Sequence, residues 1–556
     1  MNLSRRGLLR LGATATAGAA LSPLLAACGG GAGSAPATKA QGLTVKLPAY
    51  VPLSGAAKPD LPGTAAGVPE GYFTYPKELF KSVAKPPMSG GTVTMASKTF
   101  LPPPPPREQN AAWQEIEKRL GGRAELMIVP EADWPTKFNT MVAGGNLPDV
   151  FPYVSTQGVN NLPAFVASQC ADLTPFLSGD AVKEYPNLAA IPQVFWKQGI
   201  VAGKLYGIPI PRNLVGGMGF YRADLFAAAG VGDLTELSDL DRLFEALKAV
   251  TNPKEKRWGL VTATGAAYGL TIFGQLFGCP YEWRLDKATG KLTHQIETEE
   301  YRAAVEYTRK LREAGVIYPG SEGFDSLKRK NEFNAGRAAM TYDGMPAFLG
   351  PVGYLQTQKK IDPKADPRPM VPIGGKATAY LNNIVFATNF VKKADEAKVK
   401  EILRVVDFFA APFGSEEYTL IQYGVADTDH TRDDKGNPVL TEQGAKDTTV
   451  PWKFLGAPTQ PVFDSSSSEA VKLVHDALAK MIAVGVEDPT AGLFSPTSEN
   501  RYESLFTMRT DRVTSIIAGR APVSDLDRLV KDWKAQGGDK IRAEFESVIQ
   551  KNGGVG

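Results

Sequence analysis

Between residues 92 and 129 the chain changes its apolar period twice, and this constrains the fold more than any other feature. Thr92-Val93-Thr94-Met95-Ala96 is a short run with strand character. Asn110 to Leu120 then sets Trp113, Ile116 and Leu120 at helical spacing, and Ala124 to Val129 returns to a strand. Two strands with a helix between them predict a crossover connection, hence a parallel, doubly wound α/β sheet. The five prolines from Pro102 to Pro106 read as a stiff polyproline II connector inside this unit.

The same grammar continues downstream. Ser238 precedes a helix whose stripe is Leu240, Leu243, Phe244, Leu247 and Val250. Trp283 to His294 reads as a hairpin turning through Asp286 to Gly290. Thr298 to Ala314 is a charged helix with Tyr301, Ala304, Val305, Thr308 and Leu311 inward. Ser524, with Asp527 three residues on, reads as an N-cap for a helix burying Leu526, Leu529, Val530 and Trp533. Pro148-Asp149-Val150 ends a helix and begins a strand, Gly203-Lys204 makes a tight turn, and Gly336 turns the chain before a strand at Ala338 to Tyr342. No internal repeat is visible, and 556 residues suit two or three domains.

The N-terminus reads as an address. Ser4-Arg5-Arg6 opens a basic, acid-free start, and a weakly apolar stretch closes on Leu25-Ala26-Ala27-Cys28. The paired arginines resemble a twin-arginine signal, and the ending resembles a lipobox, whose cysteine receives a lipid and becomes the new N-terminus. Arg10 and Pro23 make the stretch a poor bilayer span. Residues 1–27 account for the net charge of +3, because they hold three arginines and no acid. The remainder is formally neutral, without a basic footprint for nucleic acid. Residues 28–89, rich in Gly, Ala, Pro and Ser, read as a flexible, lipid-anchored tether. Tyr72, Phe73, Tyr75, Leu79 and Phe80 suggest that its end packs onto the body. Cys170 and Cys279 could form a disulfide in an exported chain, but buried free thiols are favoured, since a bridge between moving lobes would lock them.

Four strings, in order, resemble the family 1 extracellular solute-binding proteins of ABC importers, in their large oligosaccharide-binding lipoprotein branch. They are Asn139 to Val150, Gly203 to Pro209, Tyr221 to Leu225, and Phe333 to Met340. The stretch YGVADTDHT ending at Thr431 and the run from Ile516-Ile517-Ala518-Gly519-Arg520 through Trp533 add to the match. The long tether, the prolines and Ala426-Asp427 depart from it. The resemblance implies a two-lobe periplasmic-binding-protein fold (type II), its ligand cleft lying between lobes joined by crossing strands. The first lobe would hold residues 90–211 and 376–425, and the second 212–375 and 426–550. It further implies a monomer, without cofactor or catalysis, that hands a carbohydrate to an ABC permease from the outer face of the cytoplasmic membrane.

Ligands of open α/β sheets bind beyond the carboxyl ends of strands. Sugars there need flat rings for their C–H faces and polar groups for their hydroxyls. That directs attention to Ser97 with Lys98 and Thr99, to Tyr153 with Ser155 and Thr156, and to Arg212 with Asn213. It also directs attention to Tyr342 with Asp343, and to Tyr380 with Asn382. Trp283 and Trp452-Lys453-Phe454 are further aromatic candidates. Each aromatic is more often a core residue, and Arg212 and Asp343 could equally form a surface or interlobe ion pair, so the expectation rests on convergence. Competing chemistry is thinly represented. His294, His430 and His475 lack metal spacing, and Thr431 and Arg432 break the calcium-loop template around Asp427-Thr428-Asp429. Asp433 to Gly436 is expected as a hairpin turn instead. A secreted carbohydrate hydrolase with two carboxylates remains a rival, as does a sugar-binding module serving a sensor.

Overall fold

A computed structural model of the chain describes residues 45–53, 57–64, 66–153, 159, 161–237, 239–381, 384–491, 493 and 495–551, leaving the side chain of 499 aside. Along the chain, β1 (Thr92–Thr99), β2 (Arg123–Pro130), β3 (Val150–Tyr153) and β4 (Gly207–Pro211) build a first sheet. Next, β5 (Met218–Arg222), β6 (Trp258–Leu260), β7 (Ala338–Asp343) and β8 (Pro367–Pro369) build a second. Strand β9 (Val385–Val391) then returns to the first sheet. The sheet orders are β2-β1-β3-β9-β4 and β8-β5-β7-β6.

The expected β-α-β unit is present: β1 and β2 pair in parallel from Thr92↔Arg123 to Thr99↔Pro130, around helix α1 (Ala111–Leu120). Asn110 caps that helix by accepting from the Trp113 N–H, and Gly121 ends it in a left-handed conformation. The sheet is not wholly parallel, however. Strand β9 runs antiparallel to both β3 and β4, because it re-enters from the second lobe. Asp149 locks the start of β3 to β1: its carboxylate accepts from Thr94 N–H at 2.8 Å, and its own N–H donates to Thr94 Oγ1 at 3.0 Å. The preceding helix already ends at Ala143, so Pro148 enters the strand rather than stopping a helix.

Each lobe has its own core. The first gathers Val93, Met95, Ile116, Leu120 and Ile208 beneath Trp196 and Trp452. Val450, Trp452 and Leu455 belong to it, so the chain stays with the first lobe well past the expected crossing at residue 425. The second core gathers Tyr221, Leu243, Leu247, Phe273 and Leu311 with the C-terminal helices, whose Leu526, Leu529 and Trp533 are buried as expected. Thr298 caps the Glu299–Glu313 helix, whereas Ser524 lies in helical backbone and makes no side-chain cap. Asp239 caps the Leu240–Val250 helix; Ser238 lies outside the described residues. Both hairpins form, Trp283–Asp286 with Lys291–His294 and His430–Arg432 with Pro438–Leu440.

The stretch read as a flexible tether is pinned from its first described residues. Ala49 and Val51 donate to the carbonyls of Gly179 and Ala189. Gly71–Tyr72 then pairs in parallel with Val462–Phe463. Tyr72 and Tyr75 pack with Phe413 and Tyr423, and Tyr75 shares a 2.8 Å hydrogen bond with Thr419. Enough apolar surface lies in this stretch for it to fold against the body rather than hang from it. Cys170 and Cys279 are buried free thiols, and burial pushes both up to about 12. No helix among the described residues is long and apolar enough to cross a membrane.

Candidate ligand-binding cleft

A cleft of about 1120 Å³ opens where strands of both sheets end. Lys98, Thr99 and Phe100 come from the end of β1, and Arg212 follows β4. From the other lobe, Tyr342 and Asp343 close β7, while Arg329 and Lys330 project from helix α2 (Ser326–Asn334). Phe386 comes from a break in β9: the register with β4 shifts between Val385 and Thr388, so Phe386 and Ala387 escape the ladder. Bulges of this kind re-aim a side chain, and here the ring turns to the cleft.

Three phenylalanines form the floor. Phe386 stacks on Phe454 with centroids 4.6 Å apart, and Phe100 lies 6.0 and 5.9 Å from the two. Cations surround them. Arg212 Cζ is 4.3 Å and Lys98 Nζ 4.9 Å from the Phe386 centroid, and Lys330 and Lys453 lie over Phe100 and Phe454 at 5.8 and 5.5 Å. Buried Asn389 holds the lysine-bearing turn in place, its amide donating to the carbonyls of Phe454 (3.0 Å) and Leu455 (2.7 Å). Burial pushes Lys98 and Lys453 down to about 8 and Arg212 down to about 10. A second aromatic wall is formed by Tyr281 against Tyr380, 4.9 Å apart, with Tyr342 and Tyr502. Two glycines make room for its hydroxyls. A Cβ at Gly217 would stand 2.8 Å from Tyr342 Oη, and one at Gly274 3.1 Å from Tyr380 Oη.

The acids of the cleft are already engaged. Asp343 receives Arg329 Nη2 at 2.8 Å, the Tyr354 hydroxyl at 2.6 Å and the Gly344 N–H at 2.8 Å. Burial alone would raise Asp343, but Arg329, Lys330 and Tyr354 hold it below the ordinary carboxylate value. Its ion pair lies inside the second lobe rather than between lobes. Glu282 takes a bidentate grip from Arg509 at 2.9 and 3.0 Å. Glu131, of the first lobe, accepts from Ser326 Oγ of the second at 2.8 Å, a bond that spans the cleft.

Of the residues singled out in the sequence, Arg212, Tyr342, Asp343 and Tyr380 come together here, as do Lys98, Thr99, Lys453 and Phe454. Others are placed elsewhere. Ser97 is wholly buried, its hydroxyl on the Lys98 carbonyl at 3.3 Å, because alternation along β1 sends it to the other face from Lys98. Tyr153 stacks on Phe390 of the neighbouring strand at 5.5 Å and packs in the first lobe. Trp283 is core, wedged among His294, Trp533 and Phe545. Trp452 is core too, stacked on Phe409 at 5.0 Å. Asn213 is buried outside the cleft wall, with no hydrogen-bond partner for Nδ2 among the described residues. Ser155, Thr156, Asn382 and Cys28 lie outside the described residues. Sequence reasoning missed Phe100, Tyr281, Arg329, Lys330 and Phe386. Phe100 was one step beyond a strand end already under scrutiny, whereas nothing in the sequence marks the break that exposes Phe386. No group of three or more His, Cys, Asp or Glu able to hold a metal occurs among the described residues.

Comparison with known proteins agrees with this architecture. The family pattern described as bacterial extracellular solute-binding protein matches residues 111–401. The polygalacturonan/rhamnogalacturonan-binding protein YtcQ of Bacillus subtilis (strain 168) is 24% identical over 80% of this chain and 89% of its own length. Lipoprotein LipO of the same organism is 22% identical over 82% and 91%. Among solved structures, the alginate-binding protein AlgQ2 without calcium ion superposes with a TM-score of 0.63 at 16% identity, covering 85% of this chain and 99% of that one. With two sheets, two cores and a cleft at the strand ends, the chain belongs to the bacterial extracellular solute-binding protein family.

Proposed function

We propose that this protein captures an oligosaccharide between its lobes and delivers it to an ABC import permease. The observation that carries the reading is the cleft wall, where half-buried rings (Phe386, Tyr281, Tyr342, Tyr380) stand beside hydrogen-bonding side chains at the strand ends. Rings of this kind offer faces to sugar C–H groups, and the charged and hydroxyl groups suit sugar oxygens. A volume of about 1120 Å³ exceeds the ~300–1,000 Å³ of drug-sized pockets and so favours an oligomer over a single sugar. The sequence relative YtcQ, a polysaccharide-binding protein by name, supports the same class. A ligand touching both lobes binds the closed form better and draws the equilibrium toward it.

The reading includes no reaction. Glu282 and Asp343, carboxylates that a glycosidase would need, are each held by an arginine. Export through the twin-arginine start and lipidation of Cys28 belong to the same proposal. They rest on Arg5-Arg6 and on Leu25-Ala26-Ala27-Cys28, with LipO, a lipoprotein by name, as a relative. In this reading the protein acts as a monomer at the outer face of the membrane.

Calorimetry against a panel of oligosaccharides tests the binding reading. A Kd in the micromolar range, roughly −8 kcal/mol, is expected for at least one. Binding of peptides or polyamines alone would sink it, and release of a sugar product would replace it with hydrolysis. For the anchor, Cys28→Ser should move the protein from the membrane fraction to the medium. Replacing Arg5 and Arg6 by lysine should block export, and undisturbed export would remove the twin-arginine claim.

A further inference from the structure

The charges of the cleft do not balance locally. Of its acids, Glu282 and Asp343 are matched by Arg509 and Arg329, while Glu131, which takes the Ser326 hydroxyl, favours the charge on Lys98 only from beyond ion-pair distance. Lys98, Arg212 and Lys453 have no carboxylate within ion-pair distance among the described residues. Lys330 reaches Asp343 only at 3.9 Å. What these cations do touch is aromatic: Arg212 and Lys98 share one ring, Phe386. They also oppose one another. Burial and Arg212 weaken the charge on Lys98, which Glu131 partly restores, whereas burial, Lys330 and Arg212 all weaken that on Lys453.

Burying cations beside one another without counter-charge is unfavourable for folding. Cations on the solvated surface avoid that cost, and these three lysines and Arg212 converge instead on the cleft at the strand ends. Cation–π contacts soften the penalty without removing it. An anion placed among these cations would offset it. The arrangement also spans the lobes, since Lys98 and Lys453 belong to the first, Arg212 to the crossing and Lys330 to the second.

Resting on the carbohydrate reading above, we infer that the ligand is an acidic oligosaccharide whose sugar carboxylates sit among Lys98, Arg212, Lys330 and Lys453. The rings beneath those cations then carry the apolar faces of the same sugars. A carboxylate that engages Lys330 together with Lys98 or Lys453 holds both lobes at once, so charge contributes to closure as well as to recognition. Guanidinium pairs a carboxylate in a planar, bidentate fashion while the lysines add point charge, so Arg212 fixes orientation.

The test uses the full mature chain and calorimetry. Trimers of galacturonate, glucuronate and mannuronate are compared with neutral galactose, glucose and mannose trimers and with a sulfated galactose oligomer. At least one uronate trimer should bind with a micromolar Kd, its neutral counterpart at least 100-fold more weakly. Lys453→Met and, as a second variant, Lys98→Met should each lose at least tenfold in uronate affinity. The same variants should raise the melting temperature of the ligand-free protein, a gain that a merely structural lysine would not give. Neutral trimers binding as tightly as uronates would overturn the acidic assignment and leave the carbohydrate reading intact. Preference for the sulfated oligomer would likewise overturn it. Failure of every saccharide would take the carbohydrate reading down as well. A variant that lowers the melting temperature and keeps full uronate affinity would also refute the role given to its lysine.

Discussion

Gly217 leaves the Tyr342 hydroxyl the space it occupies: a Cβ there would come within 2.8 Å of Oη and 3.1 Å of the Asp343 carbonyl. Gly217→Ala should therefore shift the Tyr342 ring at small cost to stability, of order 1–3 kcal/mol for such overpacking. Ligand affinity should fall at least fivefold by calorimetry, and an unchanged Kd would take Tyr342 out of the binding surface. The lysines give a pH dependence. Lys98, facing Glu131 and Arg212, and Lys453, facing Lys330 and Arg212, both lose their protons near pH 8. Affinity for a carboxylated ligand should thus decline between pH 7 and 9, and a flat profile would contradict the assignment. Stability has its own titrating group in buried Asp407, pushed up to about 7 by burial despite accepting from the Leu188 N–H at 2.9 Å. The unfolded chain titrates near ~3.9, so the folded state holds this proton more tightly. Its contribution is therefore greatest near pH 4 and is lost as pH rises through 7. Thermal melts of Asp407→Asn should lack the part of the decline between pH 5 and 7 that wild type shows.

Strand β9 shows how an element divides what is visible in sequence from what is not. The resemblance placed residues 376–425, Tyr380 among them, back in the first lobe without marking a strand at Val385–Val391. The antiparallel direction of β9 and its break at Phe386 depend on partners more than 150 residues away in sequence, which no local pattern records. Periodic helices were legible, with starts placed at Thr298 and Asn110, because that periodicity is local, whereas the one cap expected, Ser524, does not form. Ser97 and Lys98 were both named because they adjoin a strand end, but the pleat allows only one of two neighbours to face the cleft. Trp283 and Trp452 resemble sugar platforms in sequence, and only tertiary packing shows them enclosed. Trp452→Ala should accordingly cost about 3–5 kcal/mol, the range for emptying a buried aromatic site. Denaturant melts would check this; a loss below about 1 kcal/mol would mean that the stack on Phe409 contributes little.

At the scale of the molecule, contacts other than the crossing strands also connect the lobes. Ser326 Oγ donates to Glu131 across the cleft, a contact that opening must break. Ser326→Ala should shift the ligand-free population toward open forms, seen as a larger radius of gyration in solution scattering, and an unchanged radius would show that the bond does not hold the cleft. The N-terminal stretch is another such feature. It bonds to Gly179 and Ala189 in the first lobe, packs Leu61 and Phe73 beside Val462 and Val474, and returns to Glu417 through Ser82. Closure must carry that stretch along.

The unmatched cations of the cleft also bear on how the protein behaves outside the cell's own solutes. If Lys98, Arg212, Lys330 and Lys453 recognise carboxylates, as inferred above, they should take them from any source that fits. Citrate, a small tricarboxylate, should occupy the cleft at millimolar concentration, stabilise the protein in thermal melts and depress the apparent affinity for sugars. The same sample moved into a chloride-based zwitterionic buffer should recover its full response. Selectivity then depends on how well the aromatic floor distinguishes a sugar ring from a bare acid.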